Sequence, residues 1–497
     1  MGNYRHKLSK SAYISGKQCL KRLYLQKKYR HLASAPTATQ EAIMQQGTTV
    51  GELAQAYFPG GVDCTPESYY DFGPSIEQTQ QSIHHGRQTL YEASFFHDQV
   101  LAALDIWHRE GEEVWAIEVK SSTSVKEYHL DDAALQYWIM EQLEQAPNRF
   151  FIMHLNNQYV RGKALDIKQL FTLTDITELV KEKRTEVGKN LQSYKAVLAQ
   201  AEIPEVPIGP HCGDPFACEF INHCWQHIPS PSVFDLSRIG TKAYRFYEEG
   251  KVSYEDLKEE SELSGNQKLQ VRSYLKNEVQ LKPEGIKQFL GKLEYPLYFF
   301  DFETINPAIP LYEGSKPYEQ IGVQYSLHWL ENEKAELKHL EFLSEFQSDP
   351  RKELAKQLVN DLGTSGSIIA YNMSFEQRVI KSLAESNPEI APQLLALLPR
   401  FKDLIIPFSK KYYYHPKMHG SASIKAVLPA LFPHDSDLSY DSLTVSEGGT
   451  ASTLLQAMAE NTLDPKTKAQ VRQDLLAYCK LDTLAMVKIW EKLSEVV

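Results

Sequence analysis

The chain has 497 residues, with 53 Lys and Arg against 64 Asp and Glu and a formal net charge of -11. Hydrophobic residues make up 42% and charged residues 24%, a globular composition that excludes a mainly disordered chain. No run of about 18 apolar residues is present to span a membrane, and the mean charge argues against a uniformly basic nucleic-acid binder.

At roughly 150 residues per domain, the length suggests about three domains. The charge is unevenly spread. Residues 1–40 hold nine basic side chains and no acid, leaving 44 basic against 64 acidic residues in the remainder. Such a run is either a solvated face or a phosphate-contacting element, with Lys17, Lys21 and Arg22 as its candidates. The N-terminus has no apolar secretory stretch, so the expected location is cytoplasmic. Six cysteines (19, 64, 212, 218, 224 and 479) are too sparse for a secreted disulfide scaffold.

Residues 99–108 and 113–120 read as two strands joined by a turn at 109–112. Asp105 lies on the first strand. Glu118 and Lys120, two apart on the second, share a face. Two carboxylates and an ammonium fit hydrolysis of a phosphodiester, the acids holding a hard cation and the lysine orienting water. A surface hairpin with ordinary charges fits the same pattern. A long helix is expected over 175–200, with Asp175 and Glu178 at capping-box spacing. The Pro-rich stretch 201–210 then leads into Cys212, Cys218 and Cys224, each separated by five residues. Zinc sites favour gaps of two to four, and gaps of five suit an iron–sulfur cluster better, without deciding it.

Residues 229–290 read as a connector of short polar helices. The run Leu297–Phe302 suggests a buried strand on which Asp301 and Glu303 share a side. Two acids so placed repel each other unless a cation lies between them. Residues 367–383 read as strand, turn and helix, with Asn372, Phe375 and Glu376 at the junction. The stretch 410–419 mixes cations with aromatics, including Lys411 and Tyr413, and reads as either a base-stacking loop or a packing segment. Asp464 and Pro465 start a last helix, on which Leu475, Tyr478 and Asp482 share a face.

The order of these pieces over residues 7–228 resembles the RecB-like branch of the PD-(D/E)XK nucleases that carry an iron–sulfur cluster. The resemblance implies that Asp105 and Glu118 are metal ligands and that Lys120 and Gln136 are catalytic, Gln136 matching the family's Gln-x-x-x-Tyr helix. It also implies that Cys19, Cys212, Cys218 and Cys224 hold a 4Fe–4S cluster. The first-motif ligand is either Glu52 or Glu92.

The C-terminal pieces resemble the DnaQ/RNase T-like DEDD exonucleases of the Tyr-type. There Asp301, Glu303, Glu376 and Asp482 would bind two Mg²⁺ or Mn²⁺ ions, and Tyr478 would assist the attacking water. The whole arrangement is also similar to prokaryotic proteins that share a DFET motif, a Tyr-Asn-x-x-Phe-Glu motif and a Gly-Ser-x-Ser-Ile-Lys segment, here 420–425 with Lys425.

The expected fold is therefore α/β multidomain. It comprises a restriction-endonuclease-like core with an iron–sulfur clip (1–228), a helical connector (229–290) and an RNase H-like mixed sheet (291–497). The expected function is a metal-dependent DNA exonuclease acting on single strands or duplex ends, with a 3′–5′ C-terminal site. RNA is the alternative substrate, and an inactive nucleic-acid-binding scaffold is the alternative class.

Overall fold

A computed structural model describes residues 4–440, 443–445 and 447–497. It is a mixed α/β chain of two compact units. One comprises residues 1–227 with 308–318, and the other 228–307 with 319–497.

The first unit is built on seven strands: β1 (Leu8–Ser9), β2 (Val62–Asp63), β3 (Thr89–His97), β4 (Val100–Glu110), β5 (Glu113–Lys120), β6 (Arg149–Leu155) and β7 (Phe171–Asp175). The sheet runs in the order β2-β3-β4-β5-β6-β7, with β1 parallel to the start of β4. Strands β5 and β6 are parallel, and the helix Glu127–Gln142 makes the crossover between them.

These strands are apolar on both faces because helices cover both. Ala116, Phe150 and Ile152 face one core with the helices Lys10–Gln18, Glu127–Gln142 and Thr177–Ala199. Ile117, Val119, Phe151 and Met153 face another, with Val50 and Ala54 of the helix Ala38–Gln55 and with Ala308.

The alternation along β3 and β4 reverses at a facing pair. Leu90, Ala93 and Phe95 lie in the first core but Tyr91 in the second; Leu104 and Trp107 lie in the first but Ile106 in the second. The reversal falls at Glu92, which has φ 51°, opposite Asp105, so the strands keep one register on either side of the kink.

In the second unit a short ribbon pairs β8 (Gln280–Leu281) with a distal strand, Tyr413–Tyr414. The main sheet comprises β9 (Leu297–Ile305), β10 (Ile321–Leu330), β11 (Lys338–Leu343), β12 (Ser367–Ala370) and β13 (Phe401–Asp403). Its order is β11-β10-β9-β12-β13, with β12 parallel to both neighbours. Along β9, Tyr298, Phe300 and Phe302 pack on the helices Arg351–Leu362 and Ser374–Ser386. Leu297 and Phe299 face the opposite way, toward the helix Pro465–Glu495. Period-two alternation therefore points Asp301 and Glu303 at that helix.

Three expectations change. Residues 228–290 belong to the second unit: they form a small core of Val233, Leu236, Phe246 and Val271, and Ile286 and Phe289 join the main core. Residues 308–318 pack into the first unit, through Ala308, Ile309 and Tyr318. The long helix runs Thr177–Ala199 without a capping box, because Asp175 accepts hydrogen bonds from the N–H and hydroxyl of Thr177, at 2.9 and 2.6 Å.

Candidate active sites

In the first unit the ladder between β4 and β5 stops at Ile106 and Ile117. Beyond it the Asp105 side chain replaces the missing backbone partner, with Oδ2 accepting the Val119 N–H at 2.6 Å. Glu118 on β5 is 2% exposed and faces the helix Glu127–Gln142. Lys120 Nζ donates to Glu118 Oε1 at 2.7 Å and to Asp132 Oδ2 at 2.8 Å. Gln136 Nε2 donates to Glu118 Oε2 at 2.8 Å, while its buried Oε1 has no partner among the described residues. Asp132 and Gln136, four apart on one helix, thus meet the same Glu118–Lys120 pair, Asp132 through the ammonium and Gln136 through the carboxylate.

Burial and then Asp105 push Glu118 up to about 7. Burial also raises Asp105 and Glu92. Burial would lower Lys120, but Asp132, Glu118 and Asp105 outweigh it and hold the ammonium well above its ordinary value. The two first-motif candidates differ in their surroundings. Glu52 is exposed on its helix, whereas Glu92 stands in the strained left-handed region opposite Asp105, within the field of Lys10 and Glu118. Sequence reasoning missed Asp132 and the role of Lys10. A carboxylate four residues before Gln136 on a helix was the available signal for Asp132.

The four cysteines 19, 212, 218 and 224 line one cavity with Lys21 and Arg22. Cys19 ends the helix Lys10–Gln18, and the segment around it is stitched to the distal thiols. Gln18 Nε2 donates to the carbonyls of His211 and Phe216, both at 2.7 Å. Arg22 Nε donates to Glu219 at 2.8 Å, and the Tyr24 hydroxyl to the Ala201 carbonyl at 2.9 Å. Burial raises Cys19 and Cys224, and lifts Cys218 to about 11. All six cysteines are free, and Cys64 is buried apart in the core.

In the second unit three elements converge on a cleft of about 480 Å³. Strand β9 supplies Asp301 and Glu303, the first turn of the helix Ser374–Ser386 supplies Glu376, and the helix Pro465–Glu495 supplies Tyr478 and Asp482. Asp464 caps that last helix through the N–H groups of Lys466 and Thr467, at 3.0 and 3.1 Å. Asn372 takes φ 69° at the turn into the Glu376 helix, and its N–H donates to Asp403 at 2.9 Å.

Burial and mutual repulsion disfavour the ionised forms of these acids. Burial and then Asp482, Glu303 and Glu376 push Asp301 well up. Burial and then Asp482 and Glu376 do the same to Glu303. Burial lifts Glu376 to about 8, with Asp403 adding, and lifts Asp482 to about 6 against the opposing Tyr440 and Lys425. Glu376 is 2% exposed, and its Oε2 has no partner among the described residues. An orphaned buried carboxylate oxygen is the mark of a missing cation or donor. Burial, Asp482, Glu303 and Asp301 also hold the Tyr478 phenol above its usual value, so it stays protonated. Two neighbours were not anticipated. Tyr440 donates to Asp482 Oδ1 at 2.5 Å, and buried Cys479 puts a sulfur among the oxygens of Asp301 and Glu303.

Residues 298–423, which hold the first three of these acids, match the family model described as "Domain of unknown function (DUF2779)". An uncharacterized protein of Ureaplasma parvum serovar 3 is 30% identical over 234 residues, covering 44% of this chain and 34% of the relative. An uncharacterized protein of Mycoplasma pneumoniae is 30% identical over 230 residues, covering 41% and 33% respectively. One from Mycoplasma genitalium is 27% identical over 217 residues, covering 41% and 32%. The chain thus spans about a third of the length of the curated relatives it matches. No solved structure matches it.

The cationic candidates separate into two kinds. Lys425 is exposed at the rim of the second cleft, over the Tyr440 ring. Lys411 and Tyr413 are buried, at 2% and 7% exposure, and this corrects the expectation of a stacking loop. The apolar side chains flanking them drive that segment into the core, where Lys411 lies 4.3 Å from the Tyr414 ring centroid. Lys17 and Arg22 are taken up in ion pairs with Asp131 and Glu219, while Lys21 lines the cysteine cavity. No helix among the described residues is long and apolar enough to cross a membrane.

Proposed function

We propose that the chain is a metal-dependent nuclease, a DNA exonuclease with a hydrolytic centre in each unit. The observation that carries this reading is the convergence of Asp301, Glu303, Glu376 and Asp482 on one cleft, with every carboxyl raised and one oxygen orphaned. Four buried acids that repel one another belong together only around cations. Their oxygen donors suit Mg²⁺ or Mn²⁺. The order of strands and acids supports an RNase H-like DEDD reading for this unit, with 3′–5′ polarity.

Bound divalent cations supply Lewis-acid activation of water and neutralise charge on the phosphate. The protein does the rest. Tyr478, kept protonated, holds and orients the attacking water beside Asp482. Lys425 at the rim offers a charge to the strand's backbone.

In the first unit, the kinked pair Glu92 and Asp105 with Glu118, Lys120 and Gln136 supports the PD-(D/E)XK reading. Asp105 and Glu118 would hold the cation, while Lys120, fixed by Glu118 and Asp132, keeps its proton and orients water. Four thiols lining one cavity, with the backbone N–H groups of Lys21 and Arg22 near Cys19, fit a 4Fe–4S cluster that clips the N-terminal helices to residues 212–224.

The test uses end-labelled single- and double-stranded DNA and RNA with Mn²⁺. Wild type should shorten DNA, and Lys120→Ala and Asp301→Ala should each remove part of that activity. If no strand is degraded, or both variants match wild type, the reading is wrong. If RNA alone is degraded, the substrate assignment is wrong.

A further inference from the structure

The first unit holds an ammonium that the D…ExK pattern does not account for. Lys10 begins the helix that ends at Cys19. Its Nζ lies 2.8 Å from Glu118 Oε1 and 3.0 Å from Oε2, astride the carboxylate. Lys120 holds the same Oε1 at 2.7 Å. Glu118 therefore faces two ammoniums, with Glu92, Asp105 and Asp132 as the acids around them.

Four carboxylates against two lysines leave an excess of two negative charges, which one divalent cation neutralises. The four acids of the second unit carry twice that excess before the rim cation Lys425 is counted. An independent feature marks the first site as made for a ligand. Gln136 is 1% exposed, its amide nitrogen is bonded to Glu118 and Asp132, and its oxygen has no donor among the described residues.

We infer that Lys10 takes the place of a second metal ion in the first unit: its ammonium, set on Glu118 by the helix leading to Cys19, leaves charge and ligands for a single divalent cation. This rests on reading Asp105 and Glu118 as metal ligands. Lys10 is then a positioning residue. It fixes the Glu118 carboxylate and ties it to the cysteine cavity through nine residues of helix.

The experiment titrates Mn²⁺ into full-length protein carrying Asp301→Asn and Asp482→Asn, which silence the second site. Free Mn²⁺ is followed by electron paramagnetic resonance. The parent should bind one ion. Adding Lys10→Met should admit a second ion, or tighten the first at least about tenfold by removing a nearby positive charge. Lys10→Gln, which keeps a donor on Glu118 without the charge, should behave like Lys10→Met, and Lys10→Arg like the parent. A purely packing role would not divide the variants by charge. If Lys10→Met and Lys10→Gln match the parent in number and affinity, the inference is overturned while the metal site stands. If the parent binds no Mn²⁺, the underlying reading of the first unit fails.

Discussion

Replacing Glu376 with Gln should stabilise the cation-free protein, and only at high pH. Burial moves this carboxyl from 4.5 to about 8. The folded value lies above the unfolded one, so ionisation costs stability. The cost is absent below pH 4.5, grows between 4.5 and about 8, and is complete above that. At about 1.4 kcal/mol per pH unit, the ceiling is roughly 5 kcal/mol. The substituted amide is itself incompletely bonded, at a cost of about 1–3 kcal/mol. The net gain above pH 8 is then about 2–4 kcal/mol, or roughly 5–10 °C in melting temperature for a unit of this size. The assay is thermal unfolding of wild type and Glu376→Gln with chelator, at pH 5 and pH 9. The variant should melt higher at pH 9 and somewhat lower than wild type at pH 5, where the amide's cost of about 1–3 kcal/mol outweighs an ionisation cost below about 1 kcal/mol. Adding Mn²⁺ at pH 9 should close the gap by stabilising wild type alone. If Glu376→Gln gains nothing at pH 9, or gains equally at both values, the uncompensated-carboxylate argument fails.

Two further outcomes follow from the other parts of the molecule. Cys19→Ser should lower bound iron well below four atoms per chain and remove the visible absorbance of the protein purified without air; stoichiometric zinc in a colourless wild type would instead assign the thiols to a zinc site. Tyr478→Phe should cut strand shortening from the 3′ end by on the order of a hundredfold while leaving Mn²⁺ affinity unchanged, because in the proposed reading the phenol would act on water and bind no cation. A matched loss of Mn²⁺ affinity would place Tyr478 among the ligands.

Much of both sites was legible because strand and helix periodicity fix which side chains share a face. Spacing of two placed Asp301 beside Glu303 and Glu118 beside Lys120; spacing of four placed Tyr478 beside Asp482. What escaped was set by tertiary geometry. Glu92 became the better first-motif candidate only through a kink shared with the opposing strand, and a left-handed Glu leaves no local signature. Tyr440 reaches Asp482 across 42 residues, and Lys10 reaches Glu118 across 108. The segment 410–419 stayed open between two readings for the opposite reason. Its Lys and Tyr residues look like a binding loop in composition, but the tyrosines are needed to fill the core and carry Lys411 with them. Residues 308–318 could not be assigned from the chain order, since they leave one unit and pack in the other.

The central claim is that these carboxylates are cation sites. Anomalous scattering from crystals soaked in Mn²⁺ tests it most directly. The account predicts two peaks about 3.5–4 Å apart among Asp301, Glu303, Glu376 and Asp482, and a single peak between Asp105 and Glu118. Soaked crystals with strong Mn²⁺ peaks elsewhere and none at these acids would contradict it.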